Sequence, residues 1–156
     1  MAQKREIIKS SSLFKNFSDD IIDRFLNAAE TRTYSAGDII FVELSEGDEI
    51  FMIMEGEVTA EVALSNANQN LEILTLSAGE TFGEGCFFVE QLPRYATVTS
   101  KTKSTVLVWK SKLWREIGEE NFEVGYRLAI GVARVLLDRV RHWNMRILEN
   151  ISWGLD

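Results

Sequence analysis

The sequence predicts a mainly β protein with flanking helices: a double-stranded β-helix, or jelly roll, barrel with N-terminal helices before it and a long C-terminal helix after it. Three observations predict this. Between residues 31 and 111, short runs rich in β-branched and aromatic residues alternate with glycine turns. Ahead of them, residues 4–30 carry apolar side chains at helical spacing. Behind them, residues 122–149 carry one wide apolar stripe of helical period. We read 1–156 as one domain, divided into helices (1–30), jelly roll (31–111) and C-terminal helices (112–156).

In the first segment Ile7, Ile8, Ile21, Ile22, Phe25 and Leu26 set the helical period, and Ser10-Ser11-Ser12 divides it in two. Ser18 before Asp19-Asp20 is an N-cap signal with acids in the first turn. The strand runs are Ile39–Val42, Ile50–Met54, Val58–Val62, Leu71–Leu76, Ala96–Thr99 and Thr105–Trp109. Turns fall at Gly37, Gly47, Gly56 and Gly79, where positive φ is expected of the glycine. Residues 65–70, Ser-Asn-Ala-Asn-Gln-Asn, read as a polar hairpin tip. Many short strands at intervals of roughly 8–12 residues suit a double-sheet jelly roll. The last segment contains Val124, Leu128, Val132, Val135, Leu136, Val140, Trp143 and Ile147 on one long helix. At about 1.5 Å per residue such a helix outruns a small barrel and its overhang needs a partner surface.

Composition excludes several functions. The chain has 156 residues, 46% of them apolar, which suits one soluble core. No run approaches the roughly 20 consecutive apolar residues of a membrane span, and no secretory signal opens the chain. A single cysteine, Cys86, makes no internal disulfide and fits a reducing compartment, so we expect a cytoplasmic protein. The net charge of −7 argues against a general nucleic-acid binder. One histidine, His142, cannot build a metal site with Cys86 alone, and no nucleophile–base pair or P-loop is present, so no enzyme and no cofactor are expected.

The most informative stretch is Phe82-Gly83-Glu84-Gly85-Cys86-Phe87, followed by Leu92-Pro93-Arg94-Tyr95-Ala96-Thr97-Val98. A glycine turn frees backbone amides, a carboxylate follows it, and an arginine comes eleven residues after Gly83. Amides and guanidinium can hold a phosphate while the carboxylate accepts from a sugar hydroxyl. A salt bridge between Glu84 and Arg94 across a loop is the plainer alternative.

The stretch resembles the phosphate-binding cassette of cyclic nucleotide-binding domains. The resemblance extends over nearly the whole chain: Leu13-Phe14-Lys15-Asn16-Phe17-Ser18, Tyr34-x-x-Gly37, Ile40, Gly47-Asp48, Met52-x-Met54-x-Gly56-x-Val58, Gly79-x-x-Phe82-Gly83-Glu84 and Arg94-x-Ala96-x-Val98 are similar to successive family positions. It implies a cassette of Phe82 to Cys86 with Arg94, Tyr95 and Ala96. Glu84 would accept from the ribose 2′-hydroxyl, Arg94 would pair with the cyclic phosphate, and the amides of Gly85 and Cys86 would face that phosphate. Ile73 would wall the purine, and Leu136, Arg139 and Trp143 would form the lid on a helix that moves when ligand binds. Two positions depart from the pattern. Gly85 stands where an aliphatic residue is usual, and Tyr95 stands where a small residue is common.

The resulting expectation is a non-catalytic module that senses a cyclic nucleotide, cyclic AMP ahead of cyclic GMP. The alternative, which Gly85 and Tyr95 motivate, is a degenerate fold that binds no ligand and serves as a protein-interaction or dimerisation module. We expect a homodimer through residues 122–149, a further protein partner of unknown identity, and no membrane. A transcription regulator would need a DNA-binding module after the long helix. Only Ile151 to Asp156 follow here, so nucleic acid is not expected unless the chain is a fragment.

Overall fold

The structure is a computed structural model that describes residues 2–64 and 69–153, with side chains up to residue 149. Two helices, α1 (Ala2–Ser10) and α2 (Asp19–Ala28), come first. Eight strands follow: β1 (Glu30–Tyr34), β2 (Ile39–Phe41), β3 (Glu49–Glu55), β4 (Glu57–Ala63), β5 (Asn70–Ser77), β6 (Thr81–Phe82), β7 (Thr97–Ser100) and β8 (Ser104–Lys110). A 3-10 turn, Glu84–Phe87, sits between β6 and β7, and the chain closes with α3 (Ser111–Glu120) and α4 (Phe122–Trp153). The strands form two antiparallel four-stranded sheets, β1-β8-β3-β6 and β2-β7-β4-β5, the arrangement of a jelly roll. Four of the expected hairpin-tip residues, 65–68, lie outside the described residues.

Period-two alternation divides the interior into two cores. Phe51, Ile53, Val106 and Val108 point between the sheets and meet Val58, Ala60, Leu76 and Val98 from the opposite sheet. Their neighbours Ile50, Met52, Met54, Leu107 and Trp109 point outward, where they meet Ile8, Phe14, Ile22, Phe25 and Trp114 of the helical segments. Strands β3 and β8 are therefore buried on both faces, which is why they read as continuous apolar runs. Trp109 donates its indole N–H to the Phe25 carbonyl at 2.7 Å, tying α2 to β8.

The helical boundaries follow local chemistry. Ser18 occupies the N-cap position of α2 with extended backbone, yet its hydroxyl makes no cap bond. The break between α3 and α4 rests on Asn121, whose Oδ1 accepts from the Val124 amide at 3.2 Å. Gly118 and Gly125 let the two helices touch there: a Cβ on Gly118 would lie 2.9 Å from Cα of Gly125. Farther along, Val124, Leu128 and Val132 bury α4 on the helical core. Beyond them Leu136 packs on that same core, and Trp143 reaches the barrel interior. Among the described residues no helix is long and apolar enough to cross a membrane.

Candidate functional site

Strand β6 is pinned by its pairing with Phe51 and Met52 of β3, and the chain then turns sharply at Gly83. Gly83 holds φ +76°, a left-handed conformation that starts the 3-10 turn. The turn buries Glu84 and Cys86. From α3, Arg115 donates to the Cys86 carbonyl at 2.9 Å and fixes the far end of the turn. The Cys86 thiol is pushed up in pKa by burial and points at the Gly83 carbonyl, 3.1 Å away, so it is a packing group rather than a nucleophile.

Arg94 arrives from the other side. Its amide donates to the Ser45 carbonyl and its carbonyl accepts from Leu44, both at 2.8 Å, so the backbone is clamped on each side. The guanidinium turns inward, and the residue as a whole is 93% buried. It donates to the backbone carbonyls of Glu49 at 2.9 Å and Gly83 at 3.2 Å. Its Cζ lies 4.3 Å from the centroid of the Phe41 ring. Nε makes no hydrogen bond, and among the described residues no carboxylate comes within ion-pair distance. Burial pushes its pKa below the ordinary arginine value. A buried cation with only carbonyl partners is under-compensated, and an anion is what it lacks.

Glu84 does not pair with Arg94. Its Oε1 accepts from the Thr81 hydroxyl at 2.8 Å, and its Oε2 pairs with Arg139 of α4 at 2.7 Å. Arg139 also donates to the Thr81 carbonyl. One helical turn on, Trp143 enters the barrel mouth, with its indole N–H buried and unpartnered.

Every site residue expected from the sequence except Ile73 lines one cavity: Phe82, Gly83, Glu84, Gly85, Cys86, Arg94, Tyr95, Ala96, Leu136, Arg139 and Trp143. Ile73 sits where the β4–β5 register shifts, between the Ala60–Leu74 and Glu61–Glu72 pairs. It is buried in the barrel core, while Leu74 and Leu76 of the same strand line the cavity. The cavity measures about 80 Å³, below the roughly 300 Å³ at which small-molecule sites begin. Tyr95 is 57% exposed and stands at the rim without filling the space. At Gly85 a Cβ would lie 2.8 Å from Cδ2 of Leu92, the movable end of a side chain.

Sequence reasoning missed Phe41, Thr81 and Gly47. Thr81 carries a readable signal, a hydroxyl three residues before Glu84. Gly47 reads as a positive-φ turn glycine, like Gly37, Gly56 and Gly79, which do adopt positive φ. Gly47 does not. Its role is room, because a Cβ there would lie 2.6 Å from Cζ of Arg94. Among the described residues no group of His, Cys, Asp and Glu is placed to hold a metal ion.

The family model of the cyclic nucleotide-binding domain matches residues 31–121, more than half of the chain. Human cGMP-dependent protein kinase 2 is 34% identical over 82 residues, 53% of this chain and 11% of the kinase. The cAMP-dependent protein kinase regulatory subunit of Schizosaccharomyces pombe is 33% identical over 111 residues, 64% of this chain and 26% of that protein. The chain thus spans about a tenth to a quarter of these relatives. Among solved structures, a cyclic nucleotide-binding domain from Methylobacillus flagellatus superposes with a TM-score of 0.80 at 21% identity, covering 96% of this chain and 83% of that one. The N-terminal domain of a Streptomyces coelicolor transcriptional regulator superposes at 0.73 with 23% identity, covering 85% of this chain and 91% of that one.

Proposed function

The chain belongs to the cyclic nucleotide-binding domain family, and from that premise we propose that it is a non-catalytic, cytoplasmic regulatory module that takes a cyclic nucleotide and signals through movement of α4. One observation carries the reading: the Arg94 guanidinium, buried at the cavity wall beside the Gly83 turn, has no anionic partner among the described residues. A cyclic phosphate supplies one. Glu84, three residues from Thr81 and facing the same cavity, is the acceptor for a ribose hydroxyl, and Leu74 and Leu76 give the base apolar walls. Cyclic AMP is the first ligand to test and cyclic GMP the second, because the relatives include kinases of both names.

Titration calorimetry against both nucleotides, with Arg94→Ala alongside, tests this. The expected result is micromolar binding that the variant loses. Binding that survives in Arg94→Ala would overturn the assignment.

A second reading is favoured by the Arg139–Glu84 pair and the 80 Å³ cavity: a retired pocket on a protein-interaction module. Absence of heat with either nucleotide at millimolar concentration would select it.

On either reading we propose a homodimer through α4. Tyr126, Ile130, Leu137, Val140 and Ile147 are exposed on this helix, and with Ala133 and Asn144 they follow an alternating four- and three-residue spacing. That spacing is the seam of a two-helix coiled coil, and a single Asn in the seam fixes register.

A further inference from the structure

We propose that α4 is an internal competitor for the nucleotide, with Arg139 as the latch that holds Glu84 until a ribose hydroxyl displaces it. The competition rests on the nucleotide reading above, whereas the latch can be tested without any ligand.

Both Glu84 oxygens are already used. Oε1 takes the Thr81 hydroxyl, which belongs to β6 and is fixed by strand pairing. Oε2 takes Arg139, which belongs to the helix at the barrel mouth. Each oxygen could accept a second bond, but Arg139 stands on Oε2 inside a cavity of only about 80 Å³, so a ligand whose hydroxyl reaches this carboxylate displaces Arg139 for want of room. The pair is well enclosed, with Arg139 13% and Glu84 2% exposed. In such surroundings an ion pair is strong while both partners stay, and its loss without a replacement leaves a buried charge uncompensated.

The second part of the device is Trp143, four residues on and on the same face of α4. Its ring packs against the barrel core and lines the cavity, while its buried N–H finds no acceptor. Arg139 and Trp143 together fill the sugar and base ends of the cavity. The phosphate end has no such substitute, since Arg94 donates to carbonyl oxygens, lies against the Phe41 and Phe51 rings and has no carboxylate at ion-pair distance among the described residues. Ligand entry is thus an exchange. Arg94 gains an anion, Glu84 trades a guanidinium for a hydroxyl, and Arg139 moves into water, where a guanidinium is readily solvated. Because the hydroxyl is what releases the latch, a 2′-deoxy nucleotide loses more here than one missing hydrogen bond.

Hydrogen exchange of α4 and calorimetric titration test the latch on the whole chain, comparing it with Arg139→Met, which keeps an unbranched apolar stem and removes the charged head. Without ligand, amides of residues 133–148 in Arg139→Met are expected to exchange at least tenfold faster, while those of 122–130 stay as they are. Cyclic nucleotide should produce the same pattern in the unaltered chain, and Arg139→Met should bind it at least tenfold tighter. Glu84→Gln removes the latch without leaving a buried charge and should show the same ligand-free exchange, which keeps the test open if Arg139→Met folds poorly. Unchanged exchange in both variants would overturn the latch. Equal or weaker nucleotide binding by Arg139→Met would overturn the competition. Binding by neither chain would overturn the nucleotide reading and the competition with it, while exchange still decides the latch.

Discussion

At Gly47 a missing side chain does as much for the site as a present one. The Arg94 guanidinium lies where a Cβ on residue 47 would be, 2.6 Å from Cζ, and it is held there by the carbonyls of Glu49 and Gly83. Gly47→Ala is expected to push the guanidinium off the Phe41 ring and weaken nucleotide binding at least tenfold, at a stability cost of about 1–3 kcal/mol. Calorimetric titration and thermal melting read the two effects separately. Unaltered affinity would mean that Gly47 does not set the arginine's position. The residue scale is also where sequence reading was most uneven. The cassette from Phe82 to Ala96 was legible because its order and spacing are chemically demanding. The partner of Glu84 was not, because Arg139 comes 55 positions farther along the chain. The bulge beside Ile73 was not legible either: strand alternation fixes a face only where no bulge intervenes, and the shift between Ala60 and Glu61 carries no sequence mark.

Strands with two apolar faces or clean alternation were legible, and those without were not. β1, Glu-Thr-Arg-Thr-Tyr, has no apolar run and owes its place to pairing with β8. It matters nevertheless, because its Arg32 grips the Glu49 carboxylate of β3 with both amino groups, at 2.8 and 2.9 Å. That bond holds the Glu49 carboxyl below its ordinary pKa of 4.5. The lowered carboxyl means the pair stabilises the fold above the usual carboxylate range, and the contribution is lost as pH falls below 4.5 and through the folded value. Glu49→Gln should therefore cost about 1 kcal/mol at pH 7, with a smaller deficit at pH 3. Urea unfolding at the two pH values measures it, and a deficit that is equal at both would refute the assignment. The same residue's carbonyl accepts from Arg94, so β1 steadies the cavity wall through β3.

Over the whole molecule, α4 is one rod with two jobs. Its inner face runs from Val124 and Leu128 to Arg139 and Trp143, and its outer face carries Tyr126, Ile130, Leu137 and Val140. The proposed seam also implies a direction. Arg127, Arg134 and Arg141 follow the Tyr126, Ala133 and Val140 positions along one flank. In an antiparallel pair this flank would meet its own copy, arginine against arginine, whereas in a parallel pair it meets Ala129 and Leu136, on which arginine stems can lie. A parallel dimer is expected, and Leu137→Glu should break it, as light scattering at micromolar concentration will read. Since one rigid helix carries both latch and seam, a ligand that moves the inner face changes the fit of the outer one. Linkage then requires that dimerisation change nucleotide affinity by the same factor that nucleotide changes dimerisation. The apparent nucleotide affinity should vary with protein concentration around the dimer dissociation constant, and Leu137→Glu should abolish that variation. An affinity independent of concentration, in a chain shown by scattering to pass from monomer to dimer over the same range, would mean that the two faces of α4 act separately.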